Sequence, residues 1–190
     1  MAKHCSSFDM VGQSQRWCQL QIKTMRNLHG KGLGFASRQK ESAFLQQFWR
    51  SGTVKVYLDS SAFAKRFIEE SGSDRVESIC ACASALGLSV LCVPEIISAL
   101  NRRLRERKLT QTQYNEAKQR LLDDIRDADI IALTPSVIGS AIMVIESSPV
   151  RAMDAMHVAC ALEWGAELFA SSDKQQLSAA KKAGLKTQQT

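Results

Sequence analysis

The order of segments in this sequence predicts an α/β fold with a central parallel sheet and helices on both faces. From residue 54 onward, short apolar runs typical of strands alternate with helical segments. In such an alternation each helix connects two parallel strands. Because neither an internal repeat nor a second apolar core is visible, we predict one domain over residues 53–190. Residues 1–52 are predicted to be a disordered or loosely attached N-terminal extension.

The first half of the predicted domain contains two strands. VKVYL, residues 54–58, has the β-branched and aromatic residues of a strand and runs directly into Asp59. LSVLCV, residues 88–93, reads as a buried strand closed by Pro94 and Glu95. The helices predicted in this half cover residues 61–70, residues 74–86 with Gly87 as the stop, residues 95–108, and a segment opened by the Thr110–Gln113 capping box.

The second half repeats the alternation toward the C-terminus. A strand is predicted over residues 129–133, and Pro135 begins a helix that ends near Ser147. A Ser148 cap followed by Pro149 predicts the start of the next helix. The remaining predicted elements are a strand over residues 168–170, a helix opened by Asp173 with Gln176 at capping-box spacing, and a short strand over residues 185–187.

The net charge of the chain lies in its N-terminal extension. The formal net charge is +6, and residues 1–52 account for all of it, with 8 Lys and Arg against 2 Asp and Glu. The predicted domain is therefore neutral. Global basicity gives no argument for a nucleic-acid partner, which has to be argued from local patches instead.

Cysteine spacing and hydropathy indicate the compartment. The 6 cysteines contain no CxxC pair and no zinc-ligand spacing with the histidines, which indicates reduced, buried thiols. Neither a signal peptide nor an apolar run long enough for a membrane span is recognisable. We therefore predict a soluble, cytoplasmic protein without a membrane partner.

Four acidic residues are predicted to meet at one edge of the sheet. Asp59, Glu95 and Asp173 each follow a predicted strand, and Asp154 lies near the start of the helix that begins after Pro149. Right-handed crossovers bring such strand ends to the same edge. Taken singly, each acid is better explained as a helix cap or as a first-turn residue favoured by the helix dipole.

Taken together, the four acids indicate a metal site. Like charges held close together raise one another's pKa unless a cation lies between them. Carboxylates without an accompanying Cys/His set favour Mg²⁺ or Mn²⁺ over zinc. Such ions activate water and neutralise a leaving oxygen, which suits phosphodiester hydrolysis.

Four stretches of the chain resemble a known family. YLDSSAFAKRF, the Pro94–Glu95 entry into a helix, RAMDAMHVACAL and ASSDKQQLSAAKKAGL occur in this order over residues 54–187. In sequence and spacing they resemble the PIN-domain ribonucleases of the VapC toxin type. The resemblance implies a three-layer α/β/α fold, Mg²⁺- or Mn²⁺-dependent endoribonuclease activity on RNA, and a cognate antitoxin that blocks the site. We also expect a homodimer.

The resemblance also implies roles for individual residues. The predicted catalytic and metal-binding residues are Asp59, Glu95, Asp154 and Asp173, and the supporting residues are Ser61, Ser171 and Arg151. Two features stay open. His157, three residues after Asp154, is a ligand, a base or a structural histidine within a packed helix. The basic run that includes Arg102, Arg103 and Arg105 either contacts the RNA backbone or is a solvated helix end.

Two other functions compete with a ribonuclease. A non-catalytic PIN-like module would bind RNA or protein and use its acids only as helix caps. A DNA nuclease would use the same metal chemistry, because it attacks either phosphodiester. Cleavage that EDTA stops would distinguish a ribonuclease from the non-catalytic module. A comparison of RNA with DNA substrates would distinguish it from a DNA nuclease.

Overall fold

The computed structural model describes residues 54–190, which form a five-stranded sheet between two layers of helices. The strands are β1 (Val54–Leu58), β2 (Ala83–Ser89), β3 (Asp129–Ile131), β4 (Leu168–Ser171) and β5 (Lys186–Gln189). The α-helices are α1 (Ser60–Ala64), α2 (Ser73–Cys82), α3 (Cys92–Arg105), α4 (Gln111–Asp124), α5 (Pro135–Ser147), α6 (Ala152–Trp164) and α7 (Lys174–Lys182), and a 3-10 turn, Ile125–Asp127, follows α4.

All strand pairings are parallel, in the order β3-β2-β1-β4-β5. This arrangement confirms the predicted α/β class and its three layers. The predicted extension, residues 1–52, lies outside the described residues, and the domain boundary stays a prediction.

Each face of the sheet has its own apolar core, as side-chain alternation along β1 requires. Val56 and Leu58 pack with residues of α1 to α4, among them Phe63. Tyr57 points to the other face and packs with α5, α6 and α7. There its ring stacks on Phe169 of β4, with 5.5 Å between the ring centroids. The two cores fix β1 at the centre of the sheet.

The strand order reverses between β1 and β4. From β1 the chain builds outward through β2 to β3, and it then returns across the sheet to β4 and β5. At such a switch point the loops after the two strands diverge and leave a crevice beyond their carboxyl ends. Asp59 follows β1 and Asp173 follows β4, so both lie at this crevice.

The prediction for residues 74–93 is wrong in its boundaries. The helix ends at Cys82, and β2 begins at the next residue, so Gly87 lies inside a strand and does not stop a helix. A Cβ on Gly87 would come within 2.6 Å of the Trp164 ring of α6. Glycine is therefore needed here for close packing of helix on strand, a role that a local sequence pattern does not reveal.

Other boundaries also differ from prediction, including β3, which ends at Ile131 and not at residue 133, and β5, which covers Lys186–Gln189 and not residues 185–187. Helix α3 begins at Cys92, which puts Glu95 in the first turn of a helix and not at a strand end. Ser148 has an extended backbone, as residues before proline prefer, and it ends α5, whereas α6 begins only after Arg151. The helix predicted over residues 61–70 extends only to Ala64.

The predicted capping box and the burial of three cysteines are confirmed. Thr110 and Gln113 form the reciprocal capping box at the start of α4. Cys80, Cys92 and Cys160 are buried free thiols. Within residues 54–190, no helix is both long and apolar enough to cross a bilayer.

Candidate active site

A cavity of about 660 Å³ opens at the switch point between β1 and β4. All four predicted acids line it, although they come from four separate segments of the chain: Asp59, Glu95, Asp154 and Asp173. Of the predicted supporting residues, Ser61 and Arg151 line the same cavity. Ser171 is fully buried and contacts Asp59 from below. The fold therefore brings these predicted residues to one place.

Asp59 is the most enclosed acid of the cavity, at 5% exposure. Its carboxylate accepts hydrogen bonds from the Ala62 backbone N–H at 2.8 Å, from the Ser61 hydroxyl at 2.8 and 2.9 Å, and from the Ser171 hydroxyl at 2.9 Å. Burial raises the pKa of Asp59, and these hydrogen bonds oppose the rise without cancelling it. The side chain is thus both the N-cap of α1 and a firmly held carboxylate.

Ser171 connects Asp59 with the start of α7. Its hydroxyl oxygen accepts from the Asp173 backbone N–H at 2.9 Å. Its single proton can go either to Asp59 or to Oε1 of Gln176, which is 2.8 Å away. Gln176 also donates from Nε2 to the backbone carbonyl of Asp154 at 3.3 Å. The expected reciprocal capping box at Asp173 is absent because the Gln176 amide is used in this network.

Asp173 and Asp154 are the open side of the cavity. The Asp173 carboxylate caps α7 by accepting from the backbone N–H groups of Gln175 and Gln176 at 2.7 and 3.1 Å. Asp154 lies in the first turn of α6 and is half-buried. Partial burial and the negative charge of Asp173 both raise the pKa of Asp154. The two acids therefore repel each other across the cavity, as expected for a site that holds a cation.

Glu95 is held from the core side by His157. The Nε2 atom of His157 donates to Oε2 of Glu95 at 2.8 Å, and Nδ1 lies 3.0 Å from the Tyr57 hydroxyl. The Ser60 hydroxyl donates to the same Glu95 oxygen. Partial burial raises the pKa of Glu95, but the hydrogen bonds from His157 and Ser60 outweigh this effect and leave it below its usual value.

The structure separates the three arginines of the predicted RNA-binding run. Arg102 and Arg103 line the cavity, whereas Arg105 is not part of its wall. Arg103 donates to Glu70 at 2.9 Å, so its guanidinium is already paired with a carboxylate. All three lie in the last turn of α3, where cations also stabilise the helix.

The charges of the cavity suit a hard divalent cation. Its wall contains five carboxylate side chains against three arginines, an excess of two negative charges when all are ionised. Within residues 54–190, however, no three His, Cys, Asp or Glu side chains approach closely enough to act together as direct ligands. This combination fits an ion such as Mg²⁺, which keeps several of its waters and takes only one or two carboxylates directly.

Sequence reasoning missed Ser60, Tyr57 and Gln176. Ser60 lies beside the predicted Ser61, and Tyr57 lies two residues before Asp59, on the same side of the strand by alternation. These spacings indicate that both residues lie near the predicted site. Gln176 was assigned to a helix cap, and only the tertiary contact with Ser171 shows its second role.

Comparison with known proteins gives a consistent assignment. The family model of the PIN domain matches residues 56–182. Ribonuclease VapC45 of Mycobacterium tuberculosis (strain CDC 1551 / Oshkosh) is 32% identical over 111 residues, which are 58% of this chain and 76% of that protein. The crystal structure of M. tuberculosis VapC20, a sarcin-ricin loop cleaving toxin, covers 68% of this chain and 95% of its own, with a TM-score of 0.52 and 16% identity. A toxin–antitoxin complex from Klebsiella pneumoniae covers 65% and 90%, with a TM-score of 0.51 and 11% identity.

The chain belongs to the PIN-domain family, a class of nuclease domains, because the family model spans most of the described residues. Within this family it is related to the VapC ribonucleases. The predicted resemblance and the ribonuclease class are therefore confirmed. The solved structures, at less than 20% identity, support the fold.

Proposed function

We propose that this protein is a Mg²⁺- or Mn²⁺-dependent endoribonuclease that acts as the toxin of a toxin–antitoxin pair. The proposed catalytic and metal-binding residues are the four carboxylates at the switch point: Asp59, Glu95, Asp154 and Asp173. One observation carries the proposal. Residues far apart in sequence line a single cavity whose acidic side chains outnumber its arginines.

The chain's own residues supply the orientation that hydrolysis needs. Ser61 and Ser171 hold the Asp59 carboxylate. A bound Mg²⁺ or Mn²⁺ would supply a water of lowered pKa and neutralise charge on the leaving oxygen. We propose that Arg151, on the cavity wall, helps to bind the phosphate.

Arg102 is the best-placed cation for the RNA backbone. It lies on the wall that the cavity shares with a neighbouring pocket of about 480 Å³. An RNA strand that runs through the cavity into the neighbouring pocket would therefore contact Arg102. We expect Arg102→Ala to weaken binding of single-stranded RNA and to reduce its salt dependence by about one phosphate contact. The matched control is Arg105→Ala, in the same helical turn but outside the cavity, which should change binding little.

Cleavage of labelled RNA tests the proposal directly. The wild-type protein should produce new RNA ends with Mg²⁺ or Mn²⁺, EDTA should stop cleavage, and added Mn²⁺ should restore it. A labelled DNA of the same sequence should stay intact. Cleavage that persists in EDTA would contradict the metal-dependent mechanism, and preferential cleavage of DNA would contradict the substrate.

A non-catalytic RNA- or protein-binding module is the second candidate. One observation favours it: Asp59 and Asp173 do cap helices. This module would bind RNA equally well with and without metal and would generate no new ends. The same cleavage experiment therefore separates the two candidates.

We propose that a cognate antitoxin covers the cavity and blocks it. The similarity of the fold to a toxin–antitoxin complex supports a partner of this kind. A small reading frame beside the gene, encoding a DNA-binding protein, is the expected source. Its purified product should stop RNA cleavage at a stoichiometric ratio, and failure to inhibit would exclude that product as the antitoxin.

We also propose a homodimer, with α5 as its contact. Ile138, Ile142 and Met143 are 44%, 51% and 62% exposed, and Glu146 is the helix's one charged residue. Two copies of this face could pack without like-charge repulsion, and such a patch is typical of an interaction surface. Ile142→Glu should convert the dimer to a monomer in light scattering. A wild-type monomer would contradict the dimer, and α5 could then bind the antitoxin instead.

A further inference from the structure

A chain of hydrogen bonds connects the core of the sheet with the Glu95 carboxylate. It begins at the Tyr57 hydroxyl, 3.0 Å from Nδ1 of His157, and continues from Nε2 of His157 to Oε2 of Glu95 at 2.8 Å. Tyr57 and His157 are both buried, at 0% and 2% exposure. These hydrogen bonds join β1, α6 and α3, the three elements that surround the cavity on this side.

The proton positions in this chain follow from its two ends. Burial raises the pKa of Tyr57 well above its usual value, so the hydroxyl keeps its proton and can donate to Nδ1. At the other end, the Glu95 carboxylate faces the Ser60 hydroxyl and Nε2 of His157 and is an acceptor. His157 therefore accepts at Nδ1 and donates at Nε2. Tyr57 thus selects the imidazole tautomer that can hold Glu95.

These contacts exclude His157 from the other roles considered for it. Both ring nitrogens already have partners, and the ring is buried. A metal ligand and a general base both need a free lone pair on nitrogen. His157 lines the cavity, but its Nδ1 lone pair already accepts from Tyr57 and its Nε2 proton is directed to Glu95.

We propose that His157 is a positioning residue, which fixes the Glu95 carboxylate so that one of its oxygens stays available for a divalent cation. The hydrogen bonds from His157 and Ser60 both use Oε2, and none reaches Oε1 within residues 54–190. Outer-shell hydrogen bonds of this kind orient metal ligands, and their loss typically weakens metal affinity by about 10- to 100-fold. The inference rests on the proposed metal-dependent function.

Mn²⁺ binding to the metal-free protein tests this role without using cleavage. The concentration of free Mn²⁺ is followed by its EPR signal during titration. We expect His157→Phe, which keeps an aromatic ring but removes both nitrogens, to weaken Mn²⁺ affinity by about 10-fold or more. His157→Gln, whose amide N–H can reach the position of Nε2, should recover most of the affinity. Tyr57→Phe removes only the tautomer-setting hydroxyl and should have a smaller effect in the same direction.

A double-mutant cycle and a control separate positioning from general stability. In a Glu95→Gln background, His157→Phe should cause little further loss of Mn²⁺ affinity, because the carboxylate that it positions is gone. Val158→Ala, at the next buried position of α6, should lower the melting temperature yet leave Mn²⁺ affinity unchanged.

Four results would overturn the inference. Unchanged Mn²⁺ affinity in His157→Phe would remove the positioning role. An equal loss in His157→Gln and His157→Phe would indicate that the imidazole itself is a ligand. An undiminished effect of His157→Phe in the Glu95→Gln background would show that His157 acts independently of Glu95. A wild-type protein that binds no Mn²⁺ would instead overturn the metal site, and the positioning role with it.

Discussion

The carboxylates on the two sides of the cavity have different surroundings. On the β1 side, Asp59 is buried and receives hydrogen bonds from Ser61, Ala62 and Ser171. On the α6 side, Asp154 is half-buried and faces the charge of Asp173, which helps to raise its pKa. The first carboxylate is held by the protein itself, whereas the second is left with an unfavourable neighbour.

This difference indicates that the two carboxylates respond differently to a bound cation. A carboxylate with its hydrogen bonds already made stays in place whether or not an ion is bound. A repelling pair is relieved only when a cation enters, so it couples ion binding to the stability of the domain. Substitution of these carboxylates, removal of the ion and a change of pH test whether the two sides of the cavity differ in this way.

Removing either type of carboxylate should abolish cleavage. We expect Asp59→Asn and Asp154→Asn each to reduce RNA cleavage by at least about 100-fold, since a metal site contributes several kcal/mol to transition-state stabilisation. Both variants should keep the wild-type far-UV circular dichroism, because Asn is isosteric with Asp and, at position 59, the hydroxyls of Ser61 and Ser171 can reorient. A folded variant of either kind that cleaved RNA at the wild-type rate would contradict the site assignment.

A divalent cation should stabilise the wild-type domain. At an Mn²⁺ concentration of about 100 times the dissociation constant, binding to the folded state adds about 2.7 kcal/mol to the free energy of unfolding. We expect EDTA to remove this increment in thermal melts, and Asp154→Asn to lose most of it. An equal response to Mn²⁺ in wild type and variant would mean that the ion binds elsewhere.

Ser171 contacts both sides of the cavity, and its loss should destabilise the protein. Ser171→Ala removes the acceptor of the Asp173 backbone N–H and a donor shared by Asp59 and Gln176, all at a fully buried position. An unsatisfied buried polar group typically costs about 1–3 kcal/mol. Urea unfolding should show a loss in this range. A loss below about 0.5 kcal/mol would mean that water replaces the hydroxyl.

The repulsion at Asp154 should appear as a pH-dependent difference between wild type and Asp154→Asn in metal-free buffer. Because the pKa of Asp154 is raised in the folded state, its ionisation opposes folding above that pKa and stops doing so when pH falls below it. The variant should therefore melt at a slightly higher temperature at pH 7. The difference should shrink as pH falls through the range where Asp154 is protonated. A variant that is less stable at pH 7 would contradict the repulsion.

Much of the fold and the identity of the candidate acids followed from the sequence. Period and propensity are local properties, so the apolar run of β1 and the capping box at Thr110 were readable without tertiary contacts. Asp59 and Asp173 were placed correctly at strand ends because each follows a short, distinct strand, Asp59 directly after β1 and Asp173 two residues after the end of β4. Glu95 lines the same cavity, but the local reason for placing it there is wrong, since helix α3 begins three residues before it.

The alternation of elements, the absence of net charge in the domain and the choice of acidic residues proposed to bind a cation all follow from residue type and spacing alone. The partner of each polar group, in contrast, depends on tertiary contacts. His157 turns to Glu95, Gln176 turns to Ser171, and Gly87 makes room for Trp164. These contacts join residues of different elements. Their geometry depends on how the two helical layers pack against the sheet, which no local pattern encodes.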